Sequence, residues 1–200
     1  VARRPSTVDQ SDAERLLLFT VRFGVLLVMV MPLIVTPSAL FPFIVGKAIF
    51  SRSVIEITFA IWVALAFAYP GHRPVRSWVL AAFGLWVVMS LIAGLAGVSL
   101  QRSTWSTYER MQGIFDLVHW YGYIVMTGSV FRTLADWKLA FSVNLAVSAL
   151  ASMLGLGGHY DLITSNWIGS SSRIESTLGN ATCVGAYAMV NTFIAAGMIA

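Results

Sequence analysis

Long apolar runs alternate with short polar links along this chain. Runs of about 20 apolar residues suit membrane-spanning helices, because each residue adds about 1.5 Å and the hydrocarbon core is about 30 Å thick. The pattern predicts an all-α fold, a polytopic transmembrane helical bundle at 16–200 that follows a polar tail at 1–15. A β-barrel is disfavoured, since its strands would alternate polar and apolar residues. The predicted spans are six: 16–36, 48–69, 77–98, 113–131, 138–156 and 178–198.

The composition agrees with a membrane location. Only 11% of the residues are charged and 58% are hydrophobic, whereas a soluble domain carries about 25% charged residues. The basic residues are scattered among the spans, and this argues against nucleic acid as a partner. The single cysteine, Cys183, leaves no second thiol in the chain for an intramolecular disulfide.

The distribution of lysine and arginine predicts a cytoplasmic N-terminus, because cytoplasmic links carry the excess of these residues. The links on the N-terminal side of the bundle contain eight of the 13 basic residues: Arg3, Arg4, Arg15, Arg22, Arg73, Arg76, Arg132 and Lys138. The opposite, outer side contains the other five: Lys47, Arg52, Arg102, Arg110 and Arg173.

These outer cations are candidates for binding an anion, since arginine presents a planar fork of donors that suits phosphate. Each has a structural alternative. Arg52 and Glu56 are four residues apart and could form an ion pair on one helix face, while Lys47 could extend to the membrane interface. The link that holds Arg102 and Arg110 could be a solvated loop with an interfacial tryptophan.

The fourth span contains Asp116 and His119, three residues apart on one helix face. A carboxylate that orients an imidazole is a common acid–base arrangement, and a buried polar contact between helices is the alternative. Ligation of a quinone, haem or chlorophyll by His119 stays open. No P-loop, dinucleotide fingerprint, H-E-x-x-H or Cys/His metal spacing is present, so the sequence predicts neither a metal nor a cofactor.

The stretch "SSSRIESTLGNATCVGAY" precedes the last span. Ser172 and Glu175 fit the S-x-x-E capping box, and Ser176 and Thr177 are candidates to cap the following helix. Capping leaves Arg173 without a role. An arginine beside a helix N-terminus strengthens an anion site, because free N–H groups and a partial positive charge lie there.

Four phrases resemble, in order, the O-antigen ligase and polymerase-like superfamily: "FPFIVGKAIFSRSVIEITFAIWVALA", "RSTWSTYERMQG", "GSVFRTLADW" and "SRIESTLGN". The similarity extends from about residue 38 to the end of the chain. The most distinctive motif is R-x-x-S-T-x-G-N, which comprises Arg173, Ser176, Thr177, Gly179 and Asn180. Ala181 departs from the family pattern, in which a proline is common at this place.

The resemblance implies metal-independent transfer of a glycan from undecaprenyl diphosphate to an acceptor glycolipid or protein, at the periplasmic face of the bacterial inner membrane. Arg173 matches the family arginine that holds the diphosphate, and the matching stretches also contain Arg102, Arg110, Lys47 and Arg52. Family members are longer, with a catalytic histidine that would follow residue 200. The resemblance therefore implies that this chain is the N-terminal half of a longer protein.

The alternative function is that of a non-catalytic accessory or structural subunit of a larger membrane complex. Lipid-facing aromatic residues and the small residues Gly94, Gly97 and Gly185 would then matter more than the arginines. A transporter fragment would need broken helices or an inverted repeat, and the sequence has neither.

Overall fold

The computed structural model of the chain describes residues 11–107, 110–163, 168–170 and 173–199. The first ten residues of the predicted tail, with Arg3 and Arg4, lie outside these ranges, as does Ser172 of the predicted capping box. The predicted all-α class is confirmed, because helices make up nearly all of the regular structure.

Seven helices and one short hairpin form the described part of the chain. The helices are α1 (Asp12–Val28), α2 (Val45–Ala68), α3 (Trp78–Ala96), α4 (Leu100–Trp105), α5 (Ile114–Val130), α6 (Leu134–His159) and α7 (Ala181–Ile199). The antiparallel strands are β1 (Gly169–Ser170) and β2 (Ile174–Ser176), and short 3₁₀ turns occupy Met31–Leu33 and Pro70–His72.

Four of the described helices are long and apolar enough to cross a membrane: α2, α3, α6 and α7. The chain is therefore a membrane protein, and the predicted six spans are corrected to four. The first and fourth predicted spans form α1 and α5, each 17 residues long. α1 ends at Val28 because the chain turns into a 3₁₀ segment at Pro32, whose ring cannot continue a helix.

The core lies where α1, α2 and α5 meet. Val21 and Val25 of α1, Leu65 of α2 and Met126 of α5 are fully buried. Gly24 brings α1 close to α2, since a Cβ at this position would collide with the side chain of Thr58. The two 17-residue helices are thus central to the packing of the bundle.

α3 and α7 lie at the edges of this core. Most of their residues are exposed in the isolated chain, which suits helices that face lipid. α3 packs on α5, and α7 packs on α6. The α6–α7 contact includes a hydrogen bond in which Asn144 Nδ2 donates to Asn191 Oδ1 over 2.6 Å.

The bundle has two ends, which we name for what they contain. The tail end holds the starts of α1, α3 and α6, where Glu14 contacts His72 over 2.9 Å and Arg22 pairs with Asp136 over 3.1 Å. The hairpin end holds β1, β2 and the starts of α2, α5 and α7. That the tail end faces the cytoplasm remains a prediction.

The capping box predicted from "SRIE" is wrong. Glu175 lies in β2, which pairs with β1, and α7 begins only at Ala181. The cap of α7 is Asn180, whose Oδ1 accepts from the Thr182 backbone N–H over 2.8 Å. The prediction that Ser176 or Thr177 caps this helix is also wrong, because Ser176 instead donates to the Ala151 carbonyl and connects β2 to α6.

Candidate anion-binding cavity

A cavity of about 620 Å³ opens at the hairpin end of the bundle. Three helices begin around it, and a residue within two positions of each helix start lines its wall: Ile44 just before α2, Gln112 two residues before α5 and Asn180 just before α7. Helix N-termini present unpaired N–H groups and a partial positive charge. Their convergence makes the cavity attractive to an anion.

Two cations from the sequence-predicted set line this cavity, Lys47 and Arg110. Lys47 Nζ donates to the carbonyls of Ile34 and Thr177, each over 2.7 Å, which fixes the ammonium group in the wall. Arg110 is exposed, and its guanidinium has no hydrogen bond or ion pair with the residues that the structure describes. The cavity thus combines one fixed charge with one that is available to a ligand.

Gly179 and Asn180 of the predicted motif also lie in the wall. Gly179 has φ of +68°, and a Cβ here would collide with the ring of Phe43. Only glycine combines this backbone conformation with so close an approach. Together with the cap formed by Asn180, it positions the first turn of α7 against the cavity.

Arg52 contacts the cavity wall from inside the bundle. It does not form the ion pair with Glu56 that the sequence suggested. Its Nε and Nη2 donate to Asp116 Oδ1 over 3.2 and 3.1 Å, and Nη2 also donates to the Met111 carbonyl. The other carboxylate oxygen, Oδ2, accepts from Trp120 Nε1 over 3.0 Å. Because Asp116 lines the cavity, this pairing neutralises its negative wall charge and leaves the field of Lys47 and Arg110 dominant.

His119 contacts Glu56 of α2 instead of Asp116. Its Nδ1 lies 2.7 Å from the Phe115 carbonyl, which only accepts, so Nδ1 carries a hydrogen. Its Nε2 lies 2.8 Å from Glu56 Oε1, within hydrogen-bond distance. Both ring nitrogens of His119 have partners, as expected for the packing contact between helices.

The remaining predicted cations lie elsewhere at the hairpin end. Arg102 is exposed on the short helix α4, and Arg173 is exposed just before β2. Neither belongs to the described lining of the cavity. Of the predicted motif, Ser176 and Thr177 are buried, and Thr177 contributes its carbonyl to Lys47.

The sequence did not predict a binding role for two further features of the wall. The segment Phe41–Ile44 forms one side; it opens the first of the four phrases that resemble the superfamily, but no role was assigned to it. Cys183 lines the cavity from the first turn of α7 and is exposed. As the chain has no other cysteine, it is a chemical probe of this cavity.

Comparison of the chain with models of known families, with curated proteins and with solved structures gives no match.

Proposed function

We propose that the cavity binds the diphosphate of an undecaprenyl-linked glycan, and that the chain takes part in O-antigen-ligase-like transfer of this glycan to a glycolipid or protein at the periplasmic face of the bacterial inner membrane. One observation carries the proposal. Three helix N-termini converge with Lys47 and Arg110 on a single cavity at one end of a membrane bundle.

The wall chemistry suits a diphosphate. Arg110 can offer two parallel N–H donors to phosphate oxygens, while Lys47 supplies charge from a fixed position. When the bond between the sugar and the diphosphate breaks, negative charge grows on the departing oxygen. Cations and N–H groups that are already oriented stabilise this charge without reorganising.

An apolar part of the wall suits the lipid portion of the same substrate. Met31, Phe41 and Trp120 line the cavity beside its polar groups. The first isoprene units of an undecaprenyl chain would contact these side chains while the diphosphate contacts Arg110. No residue of this chain is assigned as the base that activates the acceptor, which the family resemblance places beyond residue 200.

Protection of Cys183 from alkylation tests binding directly. Undecaprenyl diphosphate should slow the reaction of Cys183 with a maleimide, and Arg110→Gln should remove this protection. Lys138→Gln is the matched control, because Lys138 is also exposed but lies at the tail end. Equal protection by uncharged undecaprenol, or full protection in Arg110→Gln, would contradict a diphosphate site.

Transfer activity is tested separately with the full-length gene product and a labelled undecaprenyl-diphosphate glycan. Arg110→Gln is expected to slow transfer about 100-fold, as for loss of one donor to a developing negative charge. Arg173→Gln measures the role that the resemblance assigns to that residue. Unchanged transfer in both variants would refute the proposed catalytic use of these cations.

A second candidate, the accessory subunit, is favoured by Glu56. The Glu56 side chain contacts His119 Nε2 yet remains 59% exposed on the membrane helix α2, and an exposed carboxyl group within a membrane is costly unless protein covers it. A Cβ at Gly185 would meet no atom of the rest of the described chain within 4 Å, which leaves a second open surface, whereas a Cβ at Gly94 would meet Ile114.

Site-specific photo-crosslinking distinguishes this candidate. A crosslinker at Ser53, one turn from Glu56 and exposed, should capture a membrane subunit in stoichiometric yield, whereas one at Val79 on α3 should capture lipid. Lipid adducts alone at Ser53 would exclude a subunit on this face.

A further inference from the structure

We propose that a cleft between α2 and α3, at the tail end of the bundle, binds a phospholipid with an anionic head group. This cleft, the α2–α3 cleft, has a volume of about 440 Å³. Trp62 forms its α2 wall, Leu80 its α3 wall, and Val125 part of its floor on α5. The site lies at the opposite end of the bundle from the anion-binding cavity and does not depend on the proposed function.

The cleft results from how α3 packs. α3 contacts α5 through Gly84, whose missing side chain admits the ring of Tyr121. The neighbouring Gly122 of α5 faces Phe59 of α2, where a Cβ would be in ordinary contact with the ring. Because Gly122 on the floor has no side chain to fill the space, the groove between α2 and α3 is deep.

The walls of the cleft are mostly apolar and suit an acyl chain. Phe59, Leu80 and Val118 present hydrocarbon to the groove. An unfilled groove of this kind would lose the dispersion contacts that a close-packed interior provides. In a membrane, the acyl chain of a phospholipid is the molecule with the shape and polarity to fill it.

The mouth of the cleft is positively charged. Arg76 lines it, is exposed, and makes no hydrogen bond or ion pair with the part of the chain that the structure describes. Its neighbour Arg73 is engaged, because Nε donates to the Ala66 carbonyl over 3.2 Å. An unpaired guanidinium over an apolar groove complements a lipid phosphate and favours a head group with net negative charge.

The backbone at the mouth adds to this charge. Ser77 lines the cleft and precedes α3, a helix of 19 residues, without a side-chain capping hydrogen bond. The first N–H groups of α3 therefore lie beside Arg76 with their partial positive charge. The anionic head group is proposed to lie between Arg76 and this helix start, with one acyl chain along Trp62 and Leu80.

Lipid titration monitored by native mass spectrometry tests the proposal on the chain purified in a non-ionic detergent. Phosphatidylglycerol should be retained more strongly than phosphatidylethanolamine. Arg76→Gln should weaken phosphatidylglycerol binding about fivefold, the effect of one basic residue near an anionic head group. Arg76→Lys should retain most of the affinity, and Lys138→Gln, which removes an exposed cation outside the cleft lining, should change nothing.

A second variant tests the groove itself. Ala81 lines the cleft and is exposed, so Ala81→Trp should fill the groove without disturbing the core. Loss of tight phosphatidylglycerol retention in this variant supports the site. Three outcomes would each overturn the proposal. The wild type could retain both lipids equally, Lys138→Gln and Arg76→Gln could lose equal phosphatidylglycerol affinity, or Ala81→Trp could retain phosphatidylglycerol undiminished.

Discussion

Arg52 and Glu56 lie one turn apart on α2, and each pairs with a residue of α5. Arg52 binds Asp116 and Glu56 contacts His119. A pair along one helix would leave both groups facing the same medium, whereas a pair between helices places Arg52, which is 8% exposed, against a partner inside the bundle. The spacing of these residues was visible in the sequence, but the identity of the partners depended on the packing of α5.

We expect Asp116→Ala to lower the free energy of unfolding by about 3 kcal/mol, because Arg52 would keep a buried charge without its partner. Unfolding in mixed detergent micelles, followed by circular dichroism, measures this change. Gln112→Ala is the control, since Gln112 is exposed in the link just before α5.

The double variant Arg52→Met with Asp116→Leu should recover most of the lost stability, because replacing both members of a buried pair removes the cost of the unpaired charge. If Asp116→Ala is as stable as Gln112→Ala, the Arg52–Asp116 pair does not stabilise the fold.

Only some of the residues that the sequence selected as an anion site lie together in the structure. Lys47, Arg110, Gly179 and Asn180 were selected by charge or motif and line the same cavity. The pattern could not show that Lys47 would be held by two carbonyls. Partners of this kind come from links far apart in the chain, and a single sequence does not report such contacts.

At the scale of elements, hydrophobic runs located the helices but did not determine their length or the hairpin. The first predicted span, 16–36, ends early at Val28 because Pro32 follows, and its helix begins at Asp12, before the predicted start. The segment Ile174–Ser176 pairs with β1 although its sequence fits a capping box. Here a tertiary contact determines the structure instead of local capping. Ser176 and Ile174 pack against Gly155 of α6, where a Cβ would collide with both side chains.

The α1–α2 contact yields a prediction at the same scale. Gly24→Ala should lower the free energy of unfolding by about 1–3 kcal/mol, the cost of overpacking a tight contact, because its methyl group would overlap Thr58. Thermal unfolding in detergent measures the change. Adding Thr58→Ala removes the overlapping atoms and should restore part of the stability.

Gly128→Ala on α5 is the matched control. No atom lies within 4 Å of its Cβ position, so the substitution should raise helix stability by about 0.5–1 kcal/mol. An equal loss in Gly24→Ala and Gly128→Ala would show that the α1–α2 approach is not tight.

At the scale of the whole molecule, each end of the bundle has cations that join parts of the fold and a cation that faces a cavity or cleft. At the tail end, Arg22 pairs with Asp136 and Arg132 Nη2 donates to the Arg73 carbonyl over 2.8 Å, so these arginines join helices to each other. Arg76, also at the tail end, lines the α2–α3 cleft. At the hairpin end, Arg52 binds Asp116 of α5 and Arg110 faces a cavity. The count of lysines and arginines that predicts the orientation therefore includes cations with structural and proposed ligand-binding roles. The orientation of the bundle in the membrane needs a direct measurement.

The single cysteine provides that measurement. Cys183 is exposed at the hairpin end, which the lysine and arginine distribution places on the periplasmic side. In right-side-out membrane vesicles, a membrane-impermeant maleimide should label Cys183 without permeabilisation. In a Cys183→Ala background, Lys138→Cys at the tail end should react only after detergent opens the vesicles. The reverse pattern would place the cavity in the cytoplasm, where it could not serve glycan transfer at the periplasmic face, and would move the α2–α3 cleft to the outer leaflet.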